Sequence, residues 1–440
     1  MPNQEPNSRG DETVCVFGLG YVGLPLAIAF AEAGYRTIGY DLSKARVDEL
    51  NRGKDRTAEV DDDVLARSPA TFTDDLERIS EATVYINAVP TPVDRANVPD
   101  LSHVLGSCRA IGPHLKNGDV FILESTVFPG VTEDYCGPEL ERHSGLKAGI
   151  DFTLGYSPER INPGDKKHNL RSIVKVVSGQ DEATADRVQR LYDSVVDAGT
   201  YRAPSIRVAE ASKVIENIQR DINIALMNDL AMLFDRLDID TEEVLRASGS
   251  KWNFLPFRPG MVGGHCIGVD PYYLIYGAAM IGYHEQMIGA GRRVNDSVPK
   301  FIGQRVLSLL SRRGNNKASK QHVAVIGVTF KENVPDIRNS KVSELVGELT
   351  NFGLDVTVHD CRADPADVRR QLGLDLAPLS RAKGADCLIL AVPHAEYMAD
   401  DASAVRELIG PDTLVIDIKS GLWDIRHKLP SGDGNQYWAF

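Results

Sequence analysis

Apolar residues in the first part of the chain form short runs that alternate with stretches of helical spacing. Thr13–Phe17 is one such run, Leu24–Glu32 has helical spacing, and Thr37–Tyr40 is a second run that ends at Asp41. Three more strand-like runs follow: Thr83–Val89, Val120–Leu123 and Phe152–Tyr156. Alternating strands and helices predict a parallel sheet with helices on both faces.

The middle of the chain has a different pattern. Ile206 to about Leu237 is a long run almost without proline or glycine, with apolar residues at helical spacing. At about 1.5 Å per residue, such a helix is longer than ~40 Å, which exceeds what one small domain needs. We therefore expect a helix that joins two domains and provides a dimer surface.

A second α/β pattern begins at His322–Gly327, after a polar stretch at 313–320. Its later strand-like runs are Asp355–His359, Cys387–Val392 and Thr413–Asp417. The sequence thus predicts an α/β protein with two Rossmann-like, doubly wound domains joined by a long central helix. The expected boundaries are a disordered tail at 1–11, a first α/β domain at 12–204, a central helical domain at 205–312 and a second α/β domain at 313–440. We expect loose order in the last ten residues.

Composition and charge restrict the class of protein. The chain has 440 residues, 42% of them hydrophobic and 25% charged, which is typical of a soluble protein of several domains. No apolar run approaches the roughly 20 residues of a membrane span. The polar start at 1–11 lacks the apolar stretch of a secretory signal, so we expect a cytoplasmic protein without a membrane partner. A net charge of −13 argues against nucleic acid as a partner.

The six cysteines contain no Cys-x-x-Cys pair. In a cytoplasmic chain of this size, that pattern favours free thiols over a disulfide framework or a zinc site. We therefore predict no metal centre.

A glycine motif follows the first strand. Gly18, Gly20 and Gly23 form Gly-x-Gly-x-x-Gly between a strand and a helix, and Asp41 ends the next strand. This context predicts a dinucleotide site in which the first glycine makes the turn and the second admits the pyrophosphate. The carboxylate of Asp41 would bind the ribose hydroxyls and repel a 2′-phosphate, which favours NAD over NADP. The alternative is a glycine turn that only connects strand to helix.

The second half differs at the corresponding place. Gly327 starts a similar turn, but the second and third glycines are missing, so we expect a different ligand there. Lys331, Asp336 and Arg338 follow the strand. The two basic groups suit a diphosphate, although a surface salt bridge would give the same pattern.

The segment Met261–Asp270 places Cys266 after two glycines, as if the backbone were pressed against a ligand. A thiolate beside a nicotinamide can trap an aldehyde as a thiohemiacetal, which a second oxidation turns into a thioester. Asp270 lies four residues later and would share a helix face with Cys266 if the turn continues helically. A buried, inert thiol next to a glycine turn is the alternative.

Two other groups of residues suit the same chemistry. Lys213 and Asn217 share a helix face with Glu210 and would stabilise an oxyanion, although a solvated face with a Glu–Lys pair explains the spacing too. Glu159 and Arg160 directly follow a strand, where they would act as a base and an anion-binding group, or else form a surface ion pair. Ser125 and Thr126 follow another strand in the same way, and Thr126 would position a water or the nicotinamide amide.

Together these segments resemble the UDP-glucose/GDP-mannose dehydrogenase family over about residues 12–425. The resemblance implies NAD in the first domain, the nucleotide diphosphate of the substrate chiefly in the second, a homodimer formed through the central helix, and oxidation of a sugar C6 alcohol to a carboxylate. The runs Gly263–Leu274 and Ser157–Asp165 are similar to the bacterial branch that oxidises UDP-N-acetylglucosamine or UDP-N-acetylgalactosamine for capsule and O-antigen synthesis. His265 and Val269 stand where members that act on UDP-glucose usually have serine and lysine.

The resemblance also assigns residue roles. It implies that Cys266 is the nucleophile and that Lys213, Asn217 and Asp270 stabilise oxyanions and move protons. Thr126 and Glu159 would handle the water that hydrolyses the thioester. The implied cofactor-binding residues are Gly18, Gly20, Tyr21, Val22, Gly23, Asp41, Arg46, Pro90, Thr91, Ser125, Thr126 and Arg338. The implied substrate-binding residues are Glu159, Arg160, Asn162, Lys213, Asn217, Leu255, Arg258, Gly263 and Lys331.

Other functions stay open from the sequence. The same chemistry would serve UDP-N-acetylmannosamine, UDP-glucose or GDP-mannose. A two-electron NAD dehydrogenase needs no nucleophilic cysteine, and an NAD-binding protein without turnover would use the glycine motif alone.

Overall fold

The fold comes from a computed structural model, which describes residues 12–57, 59–94, 96–161, 170–264, 266–313, 320–430 and 437–440. The chain divides into two compact units. The first contains Met1–Glu216 and Tyr272–Tyr283, and the second contains Asn217–Pro271 and His284–Phe440. The predicted tail at 1–11 and most of the predicted linker lie outside the described residues, as do Asn162 and His265.

The first unit is built on an eight-stranded sheet with the strand order β3-β2-β1-β4-β5-β6-β7-β8. Its strands are β1 (Thr13–Phe17), β2 (Arg36–Tyr40), β3 (Thr71–Thr73), β4 (Val84–Asn87), β5 (Val120–Leu123), β6 (Thr153–Tyr156), β7 (Lys175–Gly179) and β8 (Thr200–Arg202). Its helices are α1 (Gly23–Glu32), α2 (Lys44–Asn51), α3 (Asp62–Arg67), α4 (Ser102–Ile111), α5 (Gly137–Ser144) and α6 (Glu182–Asp193).

The predicted parallel sheet is correct for six strands and wrong at one pairing. β6 and β7 run antiparallel, with Gly155 opposite Gly179 and Tyr156 opposite Ser178. The strand order reverses direction between β1 and β4, and open α/β sheets bind ligands at the carboxyl ends of the strands at such a point. This edge therefore carries the loops after β1, β4, β5 and β6.

Helix α7 (Ile206–Leu237) has the bounds that its apolar spacing predicts. It is followed by α8 (Thr241–Gly249), α9 (Asp270–Met280) and α10 (Met287–Arg312). No helix among the described residues combines the length and the apolar character needed to cross a membrane.

The second unit contains a parallel five-stranded sheet with the order β10-β9-β11-β12-β13. Its strands are β9 (His322–Ile326), β10 (Asp355–His359), β11 (Cys387–Leu390), β12 (Leu414–Asp417) and β13 (Tyr437–Ala439), and its remaining helices are α11 (Val342–Asn351), α12 (Pro365–Leu372) and α13 (Ala395–Arg406). The expectation of loose order at the end of the chain is wrong for 437–440, because β13 pairs with β12 and the Phe440 ring is buried in the core. The other six of the last ten residues lie outside the described part.

Candidate active site

The glycine loop after β1 has two kinds of glycine. Gly18 has φ +86°, and a Cβ on Gly23 would lie 1.8 Å from the carbonyl oxygen of Gly18, so packing within the protein requires both. A Cβ on Gly20 would meet no atom of the described residues within 4 Å. The open side of Gly20 is the approach that a pyrophosphate needs at the start of α1. The loop therefore fits the predicted dinucleotide.

Asp41 and Arg46 hold this loop from both sides. The Leu19 N–H donates to the Asp41 carboxylate at 2.9 Å, and the Arg46 guanidinium donates to the Leu19 carbonyl oxygen at 2.9 Å. Arg46 is buried and also pairs with Glu49 and Asp55 at 2.8 and 2.7 Å. The sequence pointed to Arg46 as a residue beside the ribose and did not show this clamp. Its contact with the cofactor stays a prediction.

The loops after β4 and β5 are tied together. The Thr91 hydroxyl donates to the Thr126 carbonyl oxygen at 2.9 Å, and the Ser125 hydroxyl donates to the Val89 carbonyl oxygen at 2.6 Å. The Tyr273 hydroxyl donates to the Thr91 carbonyl oxygen. The structure thus brings Thr91, Ser125 and Thr126 together at the carboxyl edge of the sheet. Three other predicted cofactor residues lie in the loops of the same edge, with side chains exposed in full or in part: Tyr21, Val22 and Pro90.

Glu159 lies in the loop after β6 and is held on both oxygens. Its Oε1 accepts the N–H groups of Arg160 and Ile161 at 2.5 and 2.7 Å. Its Oε2 accepts the Lys175 ammonium at 3.1 Å. The Arg160 guanidinium donates to the Val174 carbonyl oxygen at 2.7 Å and pairs with a carboxylate of α7 at 2.6 Å. The Glu159 carboxylate is therefore held in one orientation. The sequence did not identify Lys175 as its partner.

The face of α7 that carries Glu210 and Lys213 is buried, which rules out the alternative of a solvated face. Both Glu210 and Lys213 are buried. The Glu210 carboxylate accepts the N–H of Gly130 at 2.5 Å, and the N–H and hydroxyl of Thr132 at 2.9 and 2.7 Å. Burial, opposed in part by these hydrogen bonds, raises the pKa of Glu210 to about 7. Glu210 thus anchors the helix that carries Lys213 to the loop that follows Thr126.

The raised pKa of Glu210 predicts a pH-dependent stability. Because the folded state binds this proton more tightly, the stabilisation is complete below the ordinary value of 4.5 and is lost as the pH rises through about 7. Glu210→Gln has no such titration. The free energy of unfolding of the wild type, minus that of the variant, should fall by up to about 3 kcal/mol between pH 5 and 8.

Urea unfolding curves at four pH values measure this difference. Glu141→Gln is the matched control, because Glu141 lies on α5 and forms a partly exposed pair with Lys147. A wild type and a Glu210→Gln variant whose stabilities change in parallel with pH would contradict the burial of an ionisable carboxyl here.

Cys266 lies in a turn that leads directly into α9. Its carbonyl oxygen accepts the N–H groups of Val269 and Asp270 at 3.0 and 2.8 Å, so the spacing of four residues is helical in effect. Its side chain is partly exposed, unlike Cys15 and Cys387, in which burial raises the pKa of the thiol far above its usual value. The alternative of a buried, inert thiol therefore does not hold for Cys266.

The two glycines before Cys266 are pressed against protein, which corrects the expectation of a ligand. A Cβ on Gly263 would lie 2.7 Å from the Asn339 carbonyl oxygen. Gly264 has φ +83°, and its Cβ would lie 2.9 Å from the Phe330 ring. The Asn339 amide donates to the Gly264 carbonyl oxygen at 3.2 Å. The Cys266 loop is thus packed on the loops that carry Lys331 and Arg338. Substrate binding by Gly263 stays a prediction.

Asp270 and Asn217 form one polar pair. The Asn217 amide donates to Asp270 Oδ2 at 2.6 Å, and Asp270 is buried. Asn217 lies one helical turn after Lys213 on α7. The structure therefore brings two of the predicted catalytic residues into direct contact, next to the turn of the third, Cys266.

The second sheet repeats the turn and carboxylate of the first. Gly327 has φ +92°, and the Val328 N–H donates to the Asp360 carboxylate at 2.6 Å, as Leu19 donates to Asp41. The two halves therefore share a local frame after their first strands.

Side chains fill this frame in the second half. Thr329 occupies the position of the second glycine, and the buried His394 places its Nε2 3.1 Å from the Thr329 hydroxyl and 3.2 Å from Asp360. Asp360, Cys361 and His394 lie close enough to bind a metal ion, but four backbone N–H groups already donate to the Asp360 carboxylate. The hydrogen bond with His394, together with those from the backbone, holds the pKa of Asp360 well below the usual value despite burial. The hydrogen bonds of Asp360 and His394 therefore hold the loop after β9 in place.

The remaining predicted residues lie in the second unit. Lys331 follows this loop, with its ammonium 5.4 Å from the centre of the Phe330 ring. Arg338 pairs with Asp336 at 2.5 Å, which is the alternative that its spacing left open. Leu255 is exposed, and Arg258 pairs with Glu242 at 2.8 Å. Their binding roles stay predictions.

Comparison with known proteins extends over nearly the whole chain. Three models of the UDP-glucose/GDP-mannose dehydrogenase family match: the NAD binding domain at residues 12–196, the central domain at 207–297 and the UDP binding domain at 324–424. UDP-N-acetyl-D-glucosamine 6-dehydrogenases of Pseudomonas aeruginosa and Salmonella typhi are 48% and 45% identical, over 93% and 95% of this chain and 97% and 96% of theirs.

A solved structure agrees with the fold. The UDP-D-ManNAc dehydrogenase of Pyrococcus horikoshii superposes with a TM-score of 0.84 at 29% identity, over 97% of this chain and 98% of that one. The predicted α/β fold, the NAD cofactor and the enzyme class are confirmed by these matches together with the glycine loop. The chain belongs to the UDP-glucose/GDP-mannose dehydrogenase family.

Proposed function

We propose that the protein oxidises the C6 alcohol of a UDP-N-acetylhexosamine to the uronate, with UDP-N-acetylglucosamine as the first candidate and UDP-N-acetylgalactosamine as the second. The partly exposed Cys266, whose turn leads into the Asp270–Asn217 pair, carries the proposal. A two-electron dehydrogenase has no use for such a thiol. Two relatives at 45% and 48% identity are named for UDP-N-acetyl-D-glucosamine.

The first oxidation needs a group that receives the hydroxyl proton and one that holds the resulting oxyanion. The bound NAD supplies the hydride acceptor. Lys213 and Asn217, one turn apart on α7, would donate hydrogen bonds to the oxygen at C6 while the charge develops. Asp270 would orient the Asn217 amide through their hydrogen bond of 2.6 Å and would receive the hydroxyl proton.

The second oxidation needs a covalent adduct. The Cys266 thiolate would add to the C6 aldehyde, and the oxygen of this thiohemiacetal would take a proton or a hydrogen bond from Lys213 or Asn217. Loss of a second hydride gives a thioester. Water then cleaves the C–S bond, with Glu159 as the base and Thr126 as a hydrogen-bonding partner. The sum is RCH₂OH + 2 NAD⁺ + H₂O → RCOO⁻ + 2 NADH + 3 H⁺.

We also propose a homodimer formed through α7. Among the described residues, this helix exposes large apolar side chains whose exposed fractions lie between 45% and 57%: Val208, Ile215, Leu226, Leu233 and Leu237. Exposed side chains of this kind are typical of helices that pack against a partner. A thiolate nucleophile needs a reducing compartment, which favours the cytoplasm, and a uronate product suits the synthesis of a surface polysaccharide.

The stoichiometry of NADH tests the reaction. The purified protein is incubated with limiting UDP-N-acetylglucosamine, UDP-N-acetylgalactosamine, UDP-N-acetylmannosamine, UDP-glucose or GDP-mannose and excess NAD. Two NADH per sugar, with the uronate as product and the highest kcat/KM for a UDP-N-acetylhexosamine, are expected. One NADH per sugar would indicate a two-electron dehydrogenase, and NAD binding without reduction by any of the sugars would indicate a protein without turnover.

A further inference from the structure

Three charged side chains meet in the interior of the first unit, next to the loop of Glu159. Lys175, the first residue of β7, is buried, and its ammonium lies 2.7 Å from Glu124 and 3.1 Å from Glu159. Glu124 directly follows β5 and is also buried. The Tyr192 hydroxyl of α6 donates to the other oxygen of Glu124 at 2.5 Å. Residues from four separate elements of the unit thus form one cluster around the Lys175 ammonium.

This arrangement is costly for the fold. The buried Glu124 and the partly buried Glu159 share one ammonium, and burial, opposed in part by Lys175, raises the pKa of Glu124 to about 7. Burial alone would lower the pKa of Lys175, but the two carboxylates outweigh it and raise the pKa. Apolar side chains of the same volume usually stabilise a core as well as buried ion pairs do or better. The charges therefore point to a role other than stability.

The geometry also fixes how Glu159 can act. A carboxylate has about four acceptor positions, two on each oxygen. Among the described residues, two N–H groups fill Oε1, and Lys175 takes one position on Oε2. One acceptor position on Oε2 is left for a proton donor. Lys175 thus decides both the direction of this position and the charge beside it.

We propose that Lys175, itself held by Glu124 and Tyr192, is a positioning residue that orients the Glu159 carboxylate for thioester hydrolysis. The inference rests on the proposed function of Glu159. In this step the oxygen of water bonds to the acyl carbon, one water proton passes to Glu159 Oε2, and the C–S bond breaks with its electron pair going to Cys266. The products are the carboxylic acid, the thiolate and a protonated Glu159, so atoms and charge balance.

Two variants separate this role from a structural one, because a structural role would slow oxidation and hydrolysis together. Lys175→Met removes the ammonium that holds Glu159 Oε2, so thioester hydrolysis should slow while both oxidations keep their rates. Glu124→Gln leaves Lys175 beside Glu159 but removes the carboxylate that holds the ammonium on its other side, so hydrolysis should slow to a smaller extent, by about 10-fold. Arg160 and its partner Glu216 also face this loop and are unchanged in both variants.

The experiment uses the full-length enzyme with UDP-N-acetylglucosamine and excess NAD. Intact mass measures the acyl-enzyme on Cys266, and NADH absorbance follows each oxidation. Lys175→Met should keep the rapid formation of NADH, lower kcat about 100-fold and accumulate the acyl-enzyme. Arg187→Met is the matched control, because Arg187 pairs with Glu12 at the opposite edge of the same sheet. It should change neither the rate of hydrolysis nor the amount of the adduct.

The outcomes are distinguishable. A wild type that forms one NADH per sugar and no adduct contradicts the proposed function itself. A normal wild type whose two variants hydrolyse the thioester at the wild-type rate, or slow oxidation and hydrolysis by the same factor, overturns the role of Lys175. If unfolding curves show that Lys175→Met does not fold, Glu124→Gln decides alone. Acyl-enzyme that accumulates in Glu124→Gln while oxidation continues supports the proposal, and hydrolysis at the wild-type rate overturns it.

Discussion

Cys266→Ser is expected to lower uronate formation by on the order of 10³-fold or more while the first hydride transfer continues. Serine occupies nearly the same volume as cysteine, and the turn depends on the backbone of residue 266, whose carbonyl oxygen accepts two N–H groups. The fold of the loop should therefore survive. A serine hydroxyl is almost wholly protonated near neutral pH, so it does not trap the aldehyde as a thiolate does.

The measurement is the amount of NADH per sugar, with hydroxylamine added to capture the released aldehyde. One NADH and a captured aldehyde are expected from the variant, against two NADH from the wild type. Cys361→Ser is the control, because Cys361 is an exposed thiol outside the loop. If Cys266→Ser formed the uronate at the wild-type rate, this result would contradict the covalent mechanism.

Gly23→Ala is expected to destabilise the first unit by about 4 kcal/mol or more, because its methyl group would overlap the Gly18 carbonyl oxygen at 1.8 Å. Backbone cannot move away as a flexible side chain can, so the loop or α1 must shift. The matched variant is Gly20→Ala, whose methyl meets no described atom within 4 Å.

Gly20→Ala should fold like the wild type and bind NAD about 10-fold more weakly, since the methyl stands where the pyrophosphate approaches. Thermal unfolding and NAD titration separate the two effects. Equal affinity for NAD in the wild type and in Gly20→Ala would show that the cofactor does not approach the loop from this side.

The fold could be predicted wherever the pattern is local. Val120–Leu123, Asp355–His359 and α7 have the predicted bounds, because each is a continuous periodic run flanked by clear breaks. The antiparallel β7 begins with a buried lysine, and β13 is three residues long. Both depend on pairing with distant strands, which periodicity along the chain does not show.

The same distinction holds for the candidate site. The glycine loop, Asp41 and the shared face of Lys213 and Asn217 follow from spacing within one element. The clamp of Arg46 and the partnership of Lys175 with Glu159 join residues from separate elements. One signal in the sequence would have pointed to the cluster around Lys175. It is the lone acidic residue Glu124, which directly follows the apolar strand β5.

Both halves have the same turn and carboxylate after their first strand, so such an enzyme must keep each nucleotide out of the other's site. NAD and a nucleotide sugar each contain a diphosphate, so a pair of identical cradles would accept either molecule in either half. In the first half, the open side of Gly20 lets a ligand approach the backbone closely. In the second half, Thr329 and the buried His394 fill the corresponding space. Discrimination between the two nucleotides thus begins at a single backbone position after the first strand of each half, before any base or sugar is recognised.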